Sequence, residues 1–144
     1  MHRFRLVHMC LLVVALAGCG GGTAAALASK EIDDTGGTVS VTTGTLTGAA
    51  AVIPAGALAN PLPITIDPGA NVAAGTGTSN VGPAVRLGPA GTTFSAPVAV
   101  TVPFTPSQTG GEAVSVVQRN DSTGAITIHA MPTVSNGLAT VTTT

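Results

Sequence analysis

Along this chain apolar and polar residues alternate in short runs that stop at Gly, Pro, Asn or Asp. Thr38-Val39-Ser40-Val41-Thr42 switches with period two, the mark of a strand with one buried face. Similar strands are predicted around residues 51–53, 62–66, 84–87, 97–102, 113–118, 124–129 and 138–143. The last three are expected to form a meander. Asn120-Asp121-Ser122-Thr123-Gly124 would turn the first pair, and Asn136-Gly137, a strong two-residue hairpin signal, the second. All 10 prolines fall at strand ends or in turns, where a missing N–H costs little. No amphipathic helix is visible. The pattern specifies an all-β fold, an antiparallel β-sandwich of short strands.

The amino terminus follows a different rule. Residues 1–18 have a basic start (His2, Arg3, Arg5), an apolar stretch from Leu11 to Ala17 and a small-residue end, the three parts of an export signal. Leu16-Ala17-Gly18-Cys19 resembles the lipobox of bacterial lipoproteins. That resemblance implies cleavage between Gly18 and Cys19, a diacylglyceryl group on the Cys19 sulfur and, in the usual case, acylation of its new amino group. At ~0.8 kcal/mol per buried CH₂, one acyl chain gives marginal membrane residence, whereas two give a stable anchor. An ordinary leader cut elsewhere would leave Cys19 free or paired with Cys10. Because Cys10 lies inside the part to be discarded, the lipobox reading is preferred, and with it no disulfide is expected. Gly20 follows the cysteine where an Asp would favour inner-membrane retention. The expected location is therefore the cell envelope, and the outer membrane in a Gram-negative cell.

Three segments result: the signal peptide at 1–18, the lipidated cysteine with a flexible linker at 19–35, and the folded domain at 36–144. The linker opens Gly20-Gly21-Gly22 and ends in the charged patch Lys30-Glu31-Ile32-Asp33-Asp34.

Composition narrows the function. Charged residues make up only 8% of the chain, yet no apolar run reaches the ~18–20 residues a membrane-spanning helix needs. Without residues 1–18, three cations (Lys30, Arg86, Arg119) face six acids, a net charge of −3. A mildly acidic surface with no Lys/Arg cluster argues against nucleic acid as a partner, and none is expected. Aromatics are 2% of the chain, with no Trp and no Tyr, which disfavours stacking platforms for sugars or single-stranded nucleic acid. A protein surface is the expected partner, beside the membrane reached through Cys19.

Three stretches together resemble the ZU5 domain, a β-sandwich found in ankyrins and netrin receptors. They are Gly36-Gly37-Thr38-Val39, Val52-Ile53-Pro54-Ala55-Gly56-Ala57-Leu58, and a longer run from Leu87 through Gly88-Pro89-Ala90-Gly91 and Phe94 to Pro103-Phe104. Phe94 and Phe104 are the expected core anchors. Some ZU5 relatives cleave themselves at a His-Phe-Ser-like segment beyond the last strand. Thr144 is reached before any such segment, as in a truncated product, so self-cleavage is assigned to no residue here.

Candidate chemistry is sparse. His129 is the one histidine after residue 18; with Ile126 and Ile128 on one strand face, it shares the other with Thr127 and reads as a solvated strand residue. No Gly-x-Ser-x-Gly elbow accompanies it, and one His cannot make a zinc site. Asp67, Glu112 and Asp121 sit in separate turns, far from a glycosidase pair in pattern. The oxygen-rich loop Asn120-Asp121-Ser122-Thr123 is a weak Ca²⁺ candidate, read first as a turn closed by Gly124. Gly75-Thr76-Gly77-Thr78 is not a phosphate loop, since no Lys follows. No catalytic residue, metal or cofactor is expected. The leading expectation is a non-catalytic, membrane-tethered module for protein contact or spacing. Its rivals are a self-processing or enzyme-associated module completed beyond Thr144, and a ligand-binding lipoprotein.

Overall fold

The alternation becomes two facing rows of buried side chains. In the computed structural model, which describes residues 7–13, 26–109, 112–120 and 123–144, two sheets pack face to face. Strands are numbered in chain order. The first sheet runs β2 (Ala28–Ile32), β5 (Leu62–Pro68), β6 (Val85–Gly88), β1 (Val7–Val13), β8 (Val114–Asn120) and β9 (Ile126–His129). The second runs β10 (Thr133–Ser135), β11 (Leu138–Thr143), β7 (Val98–Pro103), β4 (Ala50–Ile53) and β3 (Gly37–Ser40). Neighbouring strands are antiparallel except around β1, which runs parallel to both β6 and β8.

One core joins the layers. Val98, Val100 and Val102 of β7 are all 0% exposed and face a core that includes Ile64 and Ile66 of β5, Val85 of β6 and Val116 of β8. Each such side chain contributes roughly 1.5–3 kcal/mol on burial. Their polar neighbours on β7 and β11 point outward, and Thr101 and Thr140 hydrogen-bond across the ladder at 2.9 Å. Every strand predicted from residue 38 onward is present, and the all-β antiparallel sandwich is the observed architecture.

The structure corrects several expectations. Residues 28–32, assigned to the flexible linker of 19–35, form β2, an edge strand on β5. Ile32 is fully buried while Ser29, Lys30 and Glu31 stay exposed, because an edge strand tolerates charge wherever a side chain misses the core. The folded domain therefore begins near Ala28, not Gly36. Residues 7–13, within the segment read as a cleavable signal, form a strand of the first sheet in the uncleaved chain, and the signal assignment stands apart from these corrections. The expected three-strand meander is broken. β8 and β9 do pair antiparallel, but the chain then crosses to the other sheet past Pro132, and Asn136-Gly137 joins β10 to β11. Both turn residues have positive φ, 49° and 75°, as a type I′ hairpin requires. β11 lies between β10 and β7, so it is not the open edge it would be as the last strand of a meander.

The loop from β5 to β6 is closed by Gly69 N–H donating to Ala84 O at 2.9 Å. Its residue Val72 packs over Ala84 and Val117, covering the outer side of the first sheet. Before β3, Asp33 begins a tight turn: its carboxylate accepts from the Thr35 amide at 2.9 Å and hydroxyl at 2.6 Å. Gly36 completes the turn at φ 75°, where an added Cβ would strike the backbone from Ile53 to Ala55.

Candidate functional site

Where β8, β9 and β11 end together, the inner rows of the sandwich turn from apolar to polar. Val114 and Val116 of β8 point toward the core, and two residues on, the same face presents Gln118. β11 changes in the same way, from Ala139 and Val141 to Thr143. The register sets His129 opposite Val116, and Thr127 opposite Gln118, so both β9 side chains share this face.

Gln118 holds the group together. Its Oε1 accepts from Thr143 Oγ1 at 2.9 Å, a bond that links the two sheets, and pairs with His129 Nε2 at 3.1 Å. With Gln118 Oε1 as acceptor, the His129 Nε2–H is the donor of this bond. His129 is thus half-buried and partnered, in contrast to the solvated residue expected; its alternation with Ile126 and Ile128 holds, but the isoleucines have the open face.

The polar cleft at this corner is a wide, solvent-open depression of about 430 Å³ between Pro97, Gln118, Thr127, His129 and the threonines at 142–144. Across Gln118 and Thr143 it adjoins a second cleft of about 310 Å³, walled by Ile64, Leu87, Phe94 and Val98. Among the described residues no charged side chain lines either cleft. The site therefore offers hydroxyl, amide and imidazole hydrogen bonds beside an apolar wall. Its histidine spends Nε2 on an amide, and the Thr143 hydroxyl donates to the same amide instead of to a base.

The residues singled out in the sequence fall in different places. Phe104 is buried at 9% exposure, an anchor at the end of β7. Phe94 is only partly buried; it packs against the core from a loop and forms the wall of the apolar cleft, because no strand carries it inward. Gly18, Cys19 and Gly20 lie outside the described residues, as do Asp121 and Ser122 of the oxygen-rich loop. What is described of that loop is turn chemistry: Gly124 N–H donates to Asn120 O at 2.7 Å and Thr123 N–H to Asn120 Oδ1 at 3.2 Å. Thr78 likewise bonds back to Gly75 O through its amide and hydroxyl, which makes Gly75–Thr78 a turn. Among the described residues no three His, Cys, Asp or Glu side chains gather as a metal-ligating group.

Neither Gln118 nor Thr143 stood out in the sequence. The available signal was a polar residue at an inward position of an otherwise apolar row, once in β8 and once in β11.

Outside the cleft, the first sheet presents apolar surface. Ile126 and Ile128 are 54% and 51% exposed, on the same side as Val117. With Val72, Ala73 and Asn80 of the β5–β6 loop they border a shallow depression of about 170 Å³.

The sandwich, with its long β5–β6 loop and its Gly88–Gly91 turn leading to Phe94, has the architecture of one known class. The ZU5 domain family model matches residues 28–121, more than half of the chain, and the chain belongs to that family. The match begins at the first residue of β2 and takes in the strands through β8. No curated protein matches the chain.

Proposed function

We propose that this chain is a non-catalytic lipoprotein of the bacterial cell envelope, anchored through Cys19, whose ZU5 sandwich works by contact with another protein. The observation that carries the contact reading is the apolar outer face at Ile126 and Ile128, half-exposed on an edge hairpin and flanked by the β5–β6 loop. Exposed apolar patches rimmed by polar residues mark interaction surfaces. The pairing of His129 with an amide, in a cleft whose described side chains are uncharged, supports a non-catalytic role. The lipobox Leu16-Ala17-Gly18-Cys19 supports the anchor.

Two readouts test this in the producing cell. Metabolic palmitate labelling should tag the wild type and not Cys19→Ala; an unlabelled wild type removes the anchor. A photocrosslinking residue at Ile128 should give one discrete protein adduct in intact envelopes, and the same residue at Thr101, on the far sheet, should not. Equal adduct patterns from both faces would remove the contact surface.

A second reading rests on the apolar cleft. Its volume of about 310 Å³, with Phe94 and Leu87 on its walls, fits a small apolar ligand. Saturable binding of such a ligand, abolished by filling the cleft, would favour it.

A further inference from the structure

We infer that β9 is a self-pairing edge: two copies of this chain join β9 to β9 about a two-fold axis at Thr127, which merges their first sheets into one. The inference deepens the contact reading, because the outer face that meets another protein is then built from both copies.

The edges of the sandwich are guarded unequally. Among the described residues the sheets end at β2 and β9, and at β10 and β3. β2 carries Lys30 and Glu31 in exposed positions and lies alongside β3, so charge and a neighbouring strand protect that side. β10 has only three residues and directly follows Pro132. β9 has neither guard. Ala125-Ile126-Thr127-Ile128-His129-Ala130 contains no Pro, Gly, Asp, Glu, Lys or Arg, and no described strand pairs with its far side.

Backbone parity fixes which groups the open side offers. Asn120 N–H donates to Ala125 O at 2.8 Å, and the register continues through Gln118 opposite Thr127 and Val116 opposite His129. In an antiparallel ladder alternate residues bond to a given neighbour. Ala125, Thr127 and His129 therefore direct their N–H and C=O groups at β8, and Ile126 and Ile128 direct theirs at the open side. A second β9, antiparallel and with Thr127 opposite its own copy, sets Ile126 of each chain opposite Ile128 of the other. Each of these pairs exchanges both N–H···O bonds, which satisfies every outward group of the two isoleucines.

The side chains favour the same register. Ile126 and Ile128 are 54% and 51% exposed, and self-pairing brings them together as aliphatic cross-strand pairs on one face. Centring the axis on Ile126 or on Ile128 instead sets the other isoleucine opposite Gly124 or Ala130, respectively. A side chain on a two-fold axis faces itself, so a charge there would repel its copy. Thr127 carries a hydroxyl that both donates and accepts, and this fold already uses such a pair, Thr101 with Thr140 at 2.9 Å across the β7–β11 ladder.

The test is disulfide trapping of the full chain in intact producing cells with a mild oxidant. Thr127 and its copy form a non-hydrogen-bonded pair, whose Cα atoms lie ~4.5 Å apart, within reach of a disulfide. Thr127→Cys should give a reducible dimer that the wild type, which reports Cys10 and Cys19, does not give. Ala125→Cys should not give it either, since its copies are ~14 Å apart in this register. In the Thr127→Cys background, Ile126→Lys with Ile128→Lys sets like charges opposite each other and should lower the trapped dimer several-fold. Ile126→Lys with Ile128→Glu sets opposite charges there and should restore it. Both isoleucines are half-exposed, so the fold should persist in each variant, as far-UV circular dichroism of the purified chains checks. Equal trapping at Ala125 and Thr127, or no recovery with the Lys–Glu pair, would overturn the self-paired register. No trapped dimer beside a foreign protein adduct at Ile128 would overturn the second copy and leave the contact reading standing. Neither dimer nor adduct would remove both.

Discussion

Replacing Ile66 with Ala probes the core shared by the two sheets. Ile66 is 0% exposed on β5, within the core between the sheets. The change deletes three carbons, ~2.4 kcal/mol of transfer free energy at ~0.8 kcal/mol each. A surrounding β-framework collapses only partly, so a cavity term raises the cost to about 3–4 kcal/mol, within the ~2–5 kcal/mol range of such truncations. Ile126→Ala is the matched control: the same chemical change in the same sheet, on the half-exposed outer face, with an expected cost below ~1 kcal/mol. With no Trp or Tyr in the chain, unfolding is best followed by far-UV circular dichroism in urea. At a slope of ~2 kcal/mol/M, Ile66→Ala should lower the midpoint by about 1.5–2 M and Ile126→Ala by less than about 0.5 M. Equal shifts for the two variants would refute the assignment of faces, and a shift below about 0.5 M for Ile66→Ala would refute the shared core.

Three further outcomes are expected. Gly36→Ala should destabilise by about 1–3 kcal/mol in the same urea assay, since φ 75° and the nearby Ile53–Ala55 backbone both oppose a Cβ; an unchanged midpoint would contradict the turn. The Thr35 hydroxyl, followed by its amide, holds the Asp33 carboxyl below its ordinary pKa. A depressed folded pKa gives stability that is present above the unfolded value and lost as pH falls through the folded one. Asp33→Asn should therefore make the acid limb of the thermal-stability profile shallower without altering its slope near neutrality. Gln118→Leu removes the acceptor shared by Thr143 and His129 and should cost about 1–2 kcal/mol, from two bonds of roughly 0.5–1.5 kcal/mol each. It should also alter the His129 ring signals in NMR spectra, and signals that stay in place would show that the pair does not form in solution.

The alternation was legible wherever a strand has one buried face. Thr38-Val39-Ser40 and Val98-Ala99-Val100 announce β3 and β7 because their burial follows the period of two. β2 was hidden by Lys30 and Glu31, which look like tether but sit harmlessly on a sheet edge around one inward residue, Ile32. β10 spans only Thr133–Ser135, all exposed, and leaves no periodic trace. Apolar residues 7–13 suit an export signal and a central strand equally well, since both demand an uninterrupted apolar run.

Sheet membership was not legible, because it depends on where the chain crosses the core. The pattern at 124–129 and 138–143 is the same whether the strands are neighbours or lie in opposite layers. The cleft was hidden for the same reason. Gln118 and Thr143 meet only after two sheets have packed in one register, and neither residue type is unusual in a strand. Phe94 shows the converse limit: a large aromatic in an apolar chain suggests the deep core, yet its loop position leaves it on a cleft wall.

The most direct test of the anchored contact module is the intact mass of the protein taken from the membranes of its own cells. A chain beginning at Cys19 and carrying a diacylglyceryl group with a further acyl chain is the predicted result. A soluble chain with unmodified Cys19, or a membrane chain that keeps residues 1–18, would contradict it.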